Sequence, residues 1–209
     1  MRTTLILALV VCSISAGCAD KKDASKSNFK AAIQAFLDTS PGLCFTPPAT
    51  SIPFTLQAGP ELSFGGGPGM KVRADALVEA GLLKRQDATV KGMFGAATSG
   101  FEYSTTDLGE KLLVKGAGKN LATSDAFCAG KYKVVEVSNF TAPADTMGLK
   151  ISQVDYRYVV EGAPPWAKSD ALSKAFPTAA KDLQSDPSAR AVVVLTNEGW
   201  LHEKLFKRQ

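Results

Sequence analysis

The stretch LKISQVDYRYVVEG, residues 149–162, is typical of a β-strand with one buried face. Val154, Tyr156, Tyr158 and Val160 occupy every second position and alternate with polar residues. Successive side chains of a strand point to opposite faces of a sheet, so these four large side chains share one face. The stretch therefore predicts a long, half-buried strand in the C-terminal half of the chain.

The segments around this strand predict the rest of a sheet. KYKVVEVSNF, residues 131–140, is rich in valine and precedes it, and residues 189–206 suggest a hairpin that turns at Asn197-Glu198-Gly199. Residues 164–176 favour a helical stretch, which Pro177 interrupts. Residues 126–209 are therefore expected to form an antiparallel sheet with helices on one face.

The preceding residues, 29–125, follow a different order of elements. A helix is expected from about Met70 to Ala80, then two strands joined by a glycine-rich tip, then a helix over DLGEKLL, residues 107–113. Helix, strand, tip, strand and helix is the order of a winged helix. The whole chain is thus predicted to have an α+β fold, with a winged-helix-like part followed by the antiparallel sheet.

Residues 74–115 also resemble the corresponding part of the MarR-type regulators. The matching residues are LVEAGLL at 77–83 and YSTTDLGEKLL at 103–113. These are mainly packing and turn residues, so the resemblance implies a fold and not a function.

The DNA-reading surface of that family is not present here. A recognition helix needs several Arg, Lys, Asn or Gln side chains at the base edges, but this helix balances Lys71 and Arg73 against Asp75 and Glu79. The net charge of +4 is small and does not require nucleic acid. Nucleic acid is therefore not expected as a partner.

The N-terminus is typical of an export signal. Residues 1–17 combine a basic start, a short apolar run and small residues, and Ser15-Ala16-Gly17-Cys18 resembles the lipobox of bacterial lipoproteins. The resemblance implies cleavage before Cys18, lipid on this cysteine and anchoring in a bilayer. Ala19 after the cysteine suggests the outer membrane of the bacterial cell envelope. An ordinary signal peptide cut nearby, or an apolar cytoplasmic start, is the alternative.

Residues 18–28 complete this region as the lipidated cysteine and a flexible tether. After Cys18 the sequence ADKKDASKSN is polar and has no large apolar side chain. A helix is expected to follow, capped by Ser27 and running from about Asn28 to Asp38.

The cysteine count agrees with export. Of the four cysteines, Cys12 and Cys18 belong to the leader and the lipobox, which leaves Cys44 and Cys128. An even pair in an oxidising compartment predicts a disulfide, and two buried thiols are the alternative. The pair has no CxxC spacing and the chain has one histidine, so neither a metal nor another cofactor is expected.

Few residues point to catalysis, and none is assigned a catalytic role. The single histidine, His202, lies in the last predicted strand, and no G-x-S-x-G motif accompanies it. The glycine-rich stretch at 63–71 lacks the Lys-Ser/Thr pair of a phosphate-binding loop. Trp166, behind two prolines, and Tyr156 and Tyr158 are candidates for contact with a partner or ligand, and core packing is the alternative for all three.

The sequence therefore predicts a non-enzymatic envelope lipoprotein that presents its body to an envelope protein or cell-wall partner. A small-ligand or cell-wall binding lipoprotein and an unrecognised hydrolase are the alternatives. A deep pocket lined by Trp166 and the tyrosines would favour ligand binding, and a hydroxyl beside His202 would favour the hydrolase. A flat apolar patch with neither would favour the interaction module.

Overall fold

The computed structural model describes residues 20–60, 67–92, 95–118, 124–184 and 187–207. Of these residues 40% are in strands and 27% in helices, so the fold is mostly β and the predicted α+β class is wrong. The strands form three antiparallel sheets, one of them curled into a half-barrel. The predicted signal peptide, 1–17, and Cys18 lie outside the described residues. Within the described ranges, no helix is long and apolar enough to cross a membrane.

The elements are numbered in chain order. The strands are β1 (Leu43–Phe45), β2 (Phe54–Gln57), β3 (Leu83–Lys91), β4 (Ala97–Thr105), β5 (Leu113–Val114), β6 (Ala126–Ala129), β7 (Lys131–Phe140), β8 (Ala144–Thr146), β9 (Leu149–Glu161), β10 (Ser188–Thr196) and β11 (Gly199–His202). The α-helices are α1 (Lys26–Leu37), α2 (Met70–Glu79), α3 (Asp107–Leu112), α4 (Asp170–Ala175) and α5 (Pro177–Asp182). Short 3₁₀ turns cover Pro165–Lys168 and Glu203–Leu205.

The C-terminal sheet has the strand order β11-β10-β9-β7, and β8 also pairs with β9. The predicted strand over 149–162 is therefore central, because it bonds to β7, β8 and β10. The alternation of apolar and polar residues along β9 sets which face of the strand is buried. On that face Val154 and Tyr156 are buried beside Val134 and Val193.

Helix α1 covers this sheet. Ser25, and not Ser27, caps the helix by accepting a hydrogen bond from the Asn28 amide, so α1 begins at Lys26. Phe29, Ala32 and Ile33 recur at helical spacing and are buried against the sheet.

The helices that follow β9 pack mainly away from this sheet and meet it through Asp182 of α5. Helices α4 and α5 pack in a second core with α2, around Leu77, Phe127 and Leu172. The sheet thus takes its helix from the N-terminal end of the chain, and both cores draw residues from either side of residue 126.

The predicted winged-helix N-terminus is not seen in the described part of the chain. A winged helix packs its own helices together, but here α1 lies on the C-terminal sheet and α2 packs against α4. The residues that resemble the MarR-type regulators instead form helix caps and turns. The Thr106 hydroxyl caps α3 by accepting a hydrogen bond from the Gly109 amide, and Gly81 follows α2 at a φ of 74°. These features recur wherever a helix joins a hairpin, so they do not specify the packing around it.

The other two sheets have the strand orders β2-β4-β3 and β1-β6-β5, and the sheet β1-β6-β5 contains the predicted disulfide. Cys44 and Cys128 are directly opposite each other in the β1–β6 register, and their sulfur atoms are bonded at 2.11 Å. This prediction is confirmed. The bond closes a separation of 84 residues, which contains β2 to β5, α2 and α3.

Candidate functional site

A cleft of about 390 Å³ opens beside the disulfide. One wall comes from β1 and the start of α2, through Leu43, Cys44 and Arg73. The other comes from β7 and the α4–α5 corner, through Tyr132, residues 175–179 and Asp182. The cleft therefore lies between segments that are far apart in sequence, and its volume is within the range of small-molecule sites, about 300–1,000 Å³.

The Phe176-Pro177 pair builds the corner that closes the cleft. Helix α4 ends at Ala175 and its C-cap, Phe176, has a φ of −131° and a ψ of 68°, which are not helical, and Pro177 occupies the first turn of α5. A residue before proline is disfavoured in the α region, and proline is well tolerated at a helix start. The Phe176 ring then packs edge-on against Phe45, with 5.5 Å between centroids.

Arg73 supplies the cation of the cleft. Its Nη2 donates a hydrogen bond to the Thr46 carbonyl oxygen at 2.6 Å, and its guanidinium carbon lies 5.3 Å from the centre of the Phe176 ring. None of the ion pairs among the described residues includes Arg73. Burial lowers the pKa of the guanidinium, so its charge is partly desolvated.

Asp182 supplies the anion. Its Oδ2 accepts a hydrogen bond from the Tyr132 hydroxyl at 2.6 Å, and its Oδ1 accepts one from the Tyr158 hydroxyl at 2.7 Å. Burial raises the pKa of both hydroxyls, and their hydrogen bonds to Asp182 raise it further. Both tyrosines therefore stay protonated donors that fix the carboxylate in place.

The predicted contact residues take different positions. Trp166 packs against the second core, with its ring centre 5.7 Å from that of Phe45, and does not line the cleft. Tyr156 is buried in the C-terminal sheet. Tyr158 reaches the cleft only through its hydroxyl on Asp182.

The residues that the sequence did not single out are Tyr132, Phe176 and Asp182. Tyr132 is the second residue of β7, a strand that the sequence predicted, and Pro177 indicated the break between the two helices. The sequence argument used Arg73 only in the charge balance that speaks against a DNA-reading helix. No spacing relates these residues, because the tertiary fold alone brings 73, 132 and 182 together.

His202 is a packed residue in this structure. It is buried, its ring stacks on Phe36 with 3.9 Å between centroids, and its Nδ1 accepts a hydrogen bond from the Lys204 amide at 3.1 Å. Burial lowers its pKa. Among the described residues no hydroxyl is hydrogen-bonded to this ring, so the arrangement that a hydrolase would need is not found there.

Metal ligands do not cluster in the described ranges. There, no group of three or more His, Cys, Asp or Glu side chains is placed to hold a metal ion.

Comparisons with known proteins add no name to the site. Neither profiles of known families, nor curated protein sequences, nor solved structures gave a match.

Proposed function

We propose that the chain is a bacterial envelope lipoprotein, anchored through a lipid on Cys18, whose body is a non-enzymatic interaction module. The pairing of the cysteines carries this proposal. Cys44 and Cys128 are bonded to each other, and the two remaining cysteines both fall in the predicted leader and lipobox. Disulfides form and persist in oxidising compartments such as the bacterial periplasm and the cell surface.

The placement of residues 20–28 supports a close association with the bilayer. The Asn28 side chain donates to the Asp20 and Asp23 carbonyl oxygens at 2.8 and 2.9 Å. Trp200 Nε1 donates to the Lys22 and Asp23 carbonyl oxygens at 3.0 and 3.1 Å. The predicted tether is thus folded onto the body from residue 20, and a lipid on Cys18 would be separated from it by roughly 7 Å of chain. Ala19 favours the outer membrane as the bilayer.

The proposal is tested by the intact mass of the protein purified from membranes. We expect the mass of residues 18–209 plus lipid, with Cys44 and Cys128 alkylated only after reduction. Cys18→Ser should lose the lipid and the membrane association, whereas Cys12→Ser, a matched control in the leader, should keep both.

Two results would contradict the proposal. One is an uncleaved chain whose body cysteines are alkylated without reduction. The other is a Cys18→Ser protein that stays in the membrane fraction as the wild type does.

Small-ligand binding is the second candidate function, and the cleft favours it. The cleft joins a partly desolvated cation to apolar walls, which is the usual composition of a ligand site. Met70 and Val72, which follow the lining residue Pro68 in the chain, are 53% and 52% exposed and leave apolar surface nearby. Retention of a small molecule by the purified protein, detected by mass spectrometry after denaturation, would support this function, and an empty protein from several preparations would count against it.

A further inference from the structure

We propose that the cleft binds a small amphipathic monocarboxylate, with the carboxylate on Arg73 and the apolar part against Phe176 and Leu43. This inference rests on the second candidate function, ligand binding, and does not depend on the lipid anchor. It names the ligand class by the chemistry of the lining residues.

Arg73 is the anchor because its charge is paired with no carboxylate among the residues that the structure describes. A guanidinium has five N–H donors, and the hydrogen bonds among the described residues use one of them, on the Thr46 carbonyl oxygen. A desolvated charge is costly unless it is paired and hydrogen-bonded. The planar fork of arginine matches a carboxylate in a bidentate geometry, so a ligand carboxylate would supply the missing partner.

The walls beside Arg73 are apolar and shaped by the α4–α5 corner. Phe176 lies under the guanidinium, and Leu43, Ala175, Pro177 and Ala179 line the same cleft. An anion on Arg73 would therefore carry its hydrocarbon part along these side chains. Burial of that part would contribute about 25 cal/mol per Å² of apolar surface removed from water.

Asp182 restricts the charge of the ligand. Among the described residues that line the cleft, Arg73 and Asp182 are the charged ones, and their formal charges cancel. The two tyrosine hydroxyls hold the Asp182 carboxylate in place in the same cleft. A dianion would meet this like charge more strongly than a monoanion. A carboxylate is thus preferred over a phosphate monoester.

The test uses the full protein as it is purified, in lipid nanodiscs if it carries lipid and in buffer if it does not, with the matching protein-free sample as the background. The probes are 4-phenylbutyrate, its neutral amide and phenyl phosphate, and binding is measured by saturation-transfer NMR and calorimetry. We expect 4-phenylbutyrate to bind with a Kd of about 1 mM or below, and the other two probes to bind at least about tenfold more weakly. This comparison needs no variant.

Arginine variants locate the anchor. Arg73→Gln should weaken 4-phenylbutyrate binding about tenfold or more, and Arg73→Lys should weaken it less. Arg190→Gln is the matched control, since Arg190 pairs with Asp155 in the C-terminal sheet and should leave binding unchanged. Far-UV circular dichroism of each variant confirms folding.

The outcomes distinguish a failure of the carboxylate anchor on Arg73 from a failure of ligand binding by the cleft. Equal binding of the acid and the amide, or unchanged binding in Arg73→Gln, would overturn the carboxylate anchor but leave ligand binding standing. No binding of any probe at ~10 mM would overturn the proposed ligand class itself. The lipid anchor is tested separately by mass and is affected by neither result.

Discussion

Removal of the Cys44–Cys128 bond by a double substitution to alanine should destabilise the protein strongly. The bond joins directly opposite residues of β1 and β6 and closes a separation of 84 residues. In the chain-entropy model a loop of this length stabilises the folded state by about 4.5 kcal/mol at 25 °C. Since β1 has three residues and its ladder is short, few backbone hydrogen bonds remain to hold it in place.

Urea unfolding followed by tryptophan fluorescence measures this effect. The oxidised wild type, the reduced wild type and the double alanine variant are compared at one protein concentration. We expect a lower midpoint for the last two, together with a larger m-value, because the unfolded chain without its cross-link exposes more surface. The double variant treated with reductant is the control for the reductant itself.

A loss below about 1 kcal/mol would refute this reasoning. It would mean that the unfolded chain stays compact even without the cross-link, or that packing alone holds β1 in the folded state. A reductant effect of equal size in the double variant would also refute it, because that protein has no body disulfide to break.

Three further predictions concern single side chains. Asp182→Asn should lower the free energy of unfolding in urea by about 1–3 kcal/mol, because one amide oxygen cannot replace two carboxylate oxygens as acceptors for Tyr132 and Tyr158. Asp145→Asn, at an exposed position, is the control, and an equal loss in both variants would contradict this prediction. Trp200→Phe should speed amide exchange in residues 21–25, since its indole donor binds that segment, and unchanged exchange would contradict the docking. Burial holds the folded pKa of His202 below its usual value of 6.5, so the unfolded state binds more protons and the free energy of unfolding should fall as the pH drops below about 6.5. His202→Gln should flatten the dependence of stability on pH, and the same dependence in both proteins would exclude His202 as its source.

Local elements could be predicted from sequence where periodicity and caps were strong. The strand at 149–162 is observed as Leu149–Glu161, and the helix from about Met70 is observed as Met70–Glu79. Helix α1 began two residues earlier than expected because Ser25 accepts the capping hydrogen bond. Ser25 and Ser27 both offer a hydroxyl that could cap the helix. The fold of the preceding turn decides which one is used, and the sequence does not specify that turn.

The position of these elements in the fold could not be predicted in the same way. The order of α2, β3, β4 and α3 favoured a winged helix, yet α2 packs on α4 and α1 on the C-terminal sheet. An apolar helix face can be buried against either core, since the hydrophobic effect is not directional. The order of elements therefore left the choice of partner open.

The sequence by itself determined the strand pattern, the cysteine pair and the expectation of a lipid-anchored leader, because each depends on neighbouring residues or on a count. Only the tertiary structure decided the mostly β architecture and the cleft. Arg73, Tyr132 and Asp182 are separated by 59 and 50 residues along the chain, and none belongs to a motif. They line one cleft because two cores pack the start of α2, β7 and the α4–α5 corner together, and such long-range contacts follow from the whole pattern of burial.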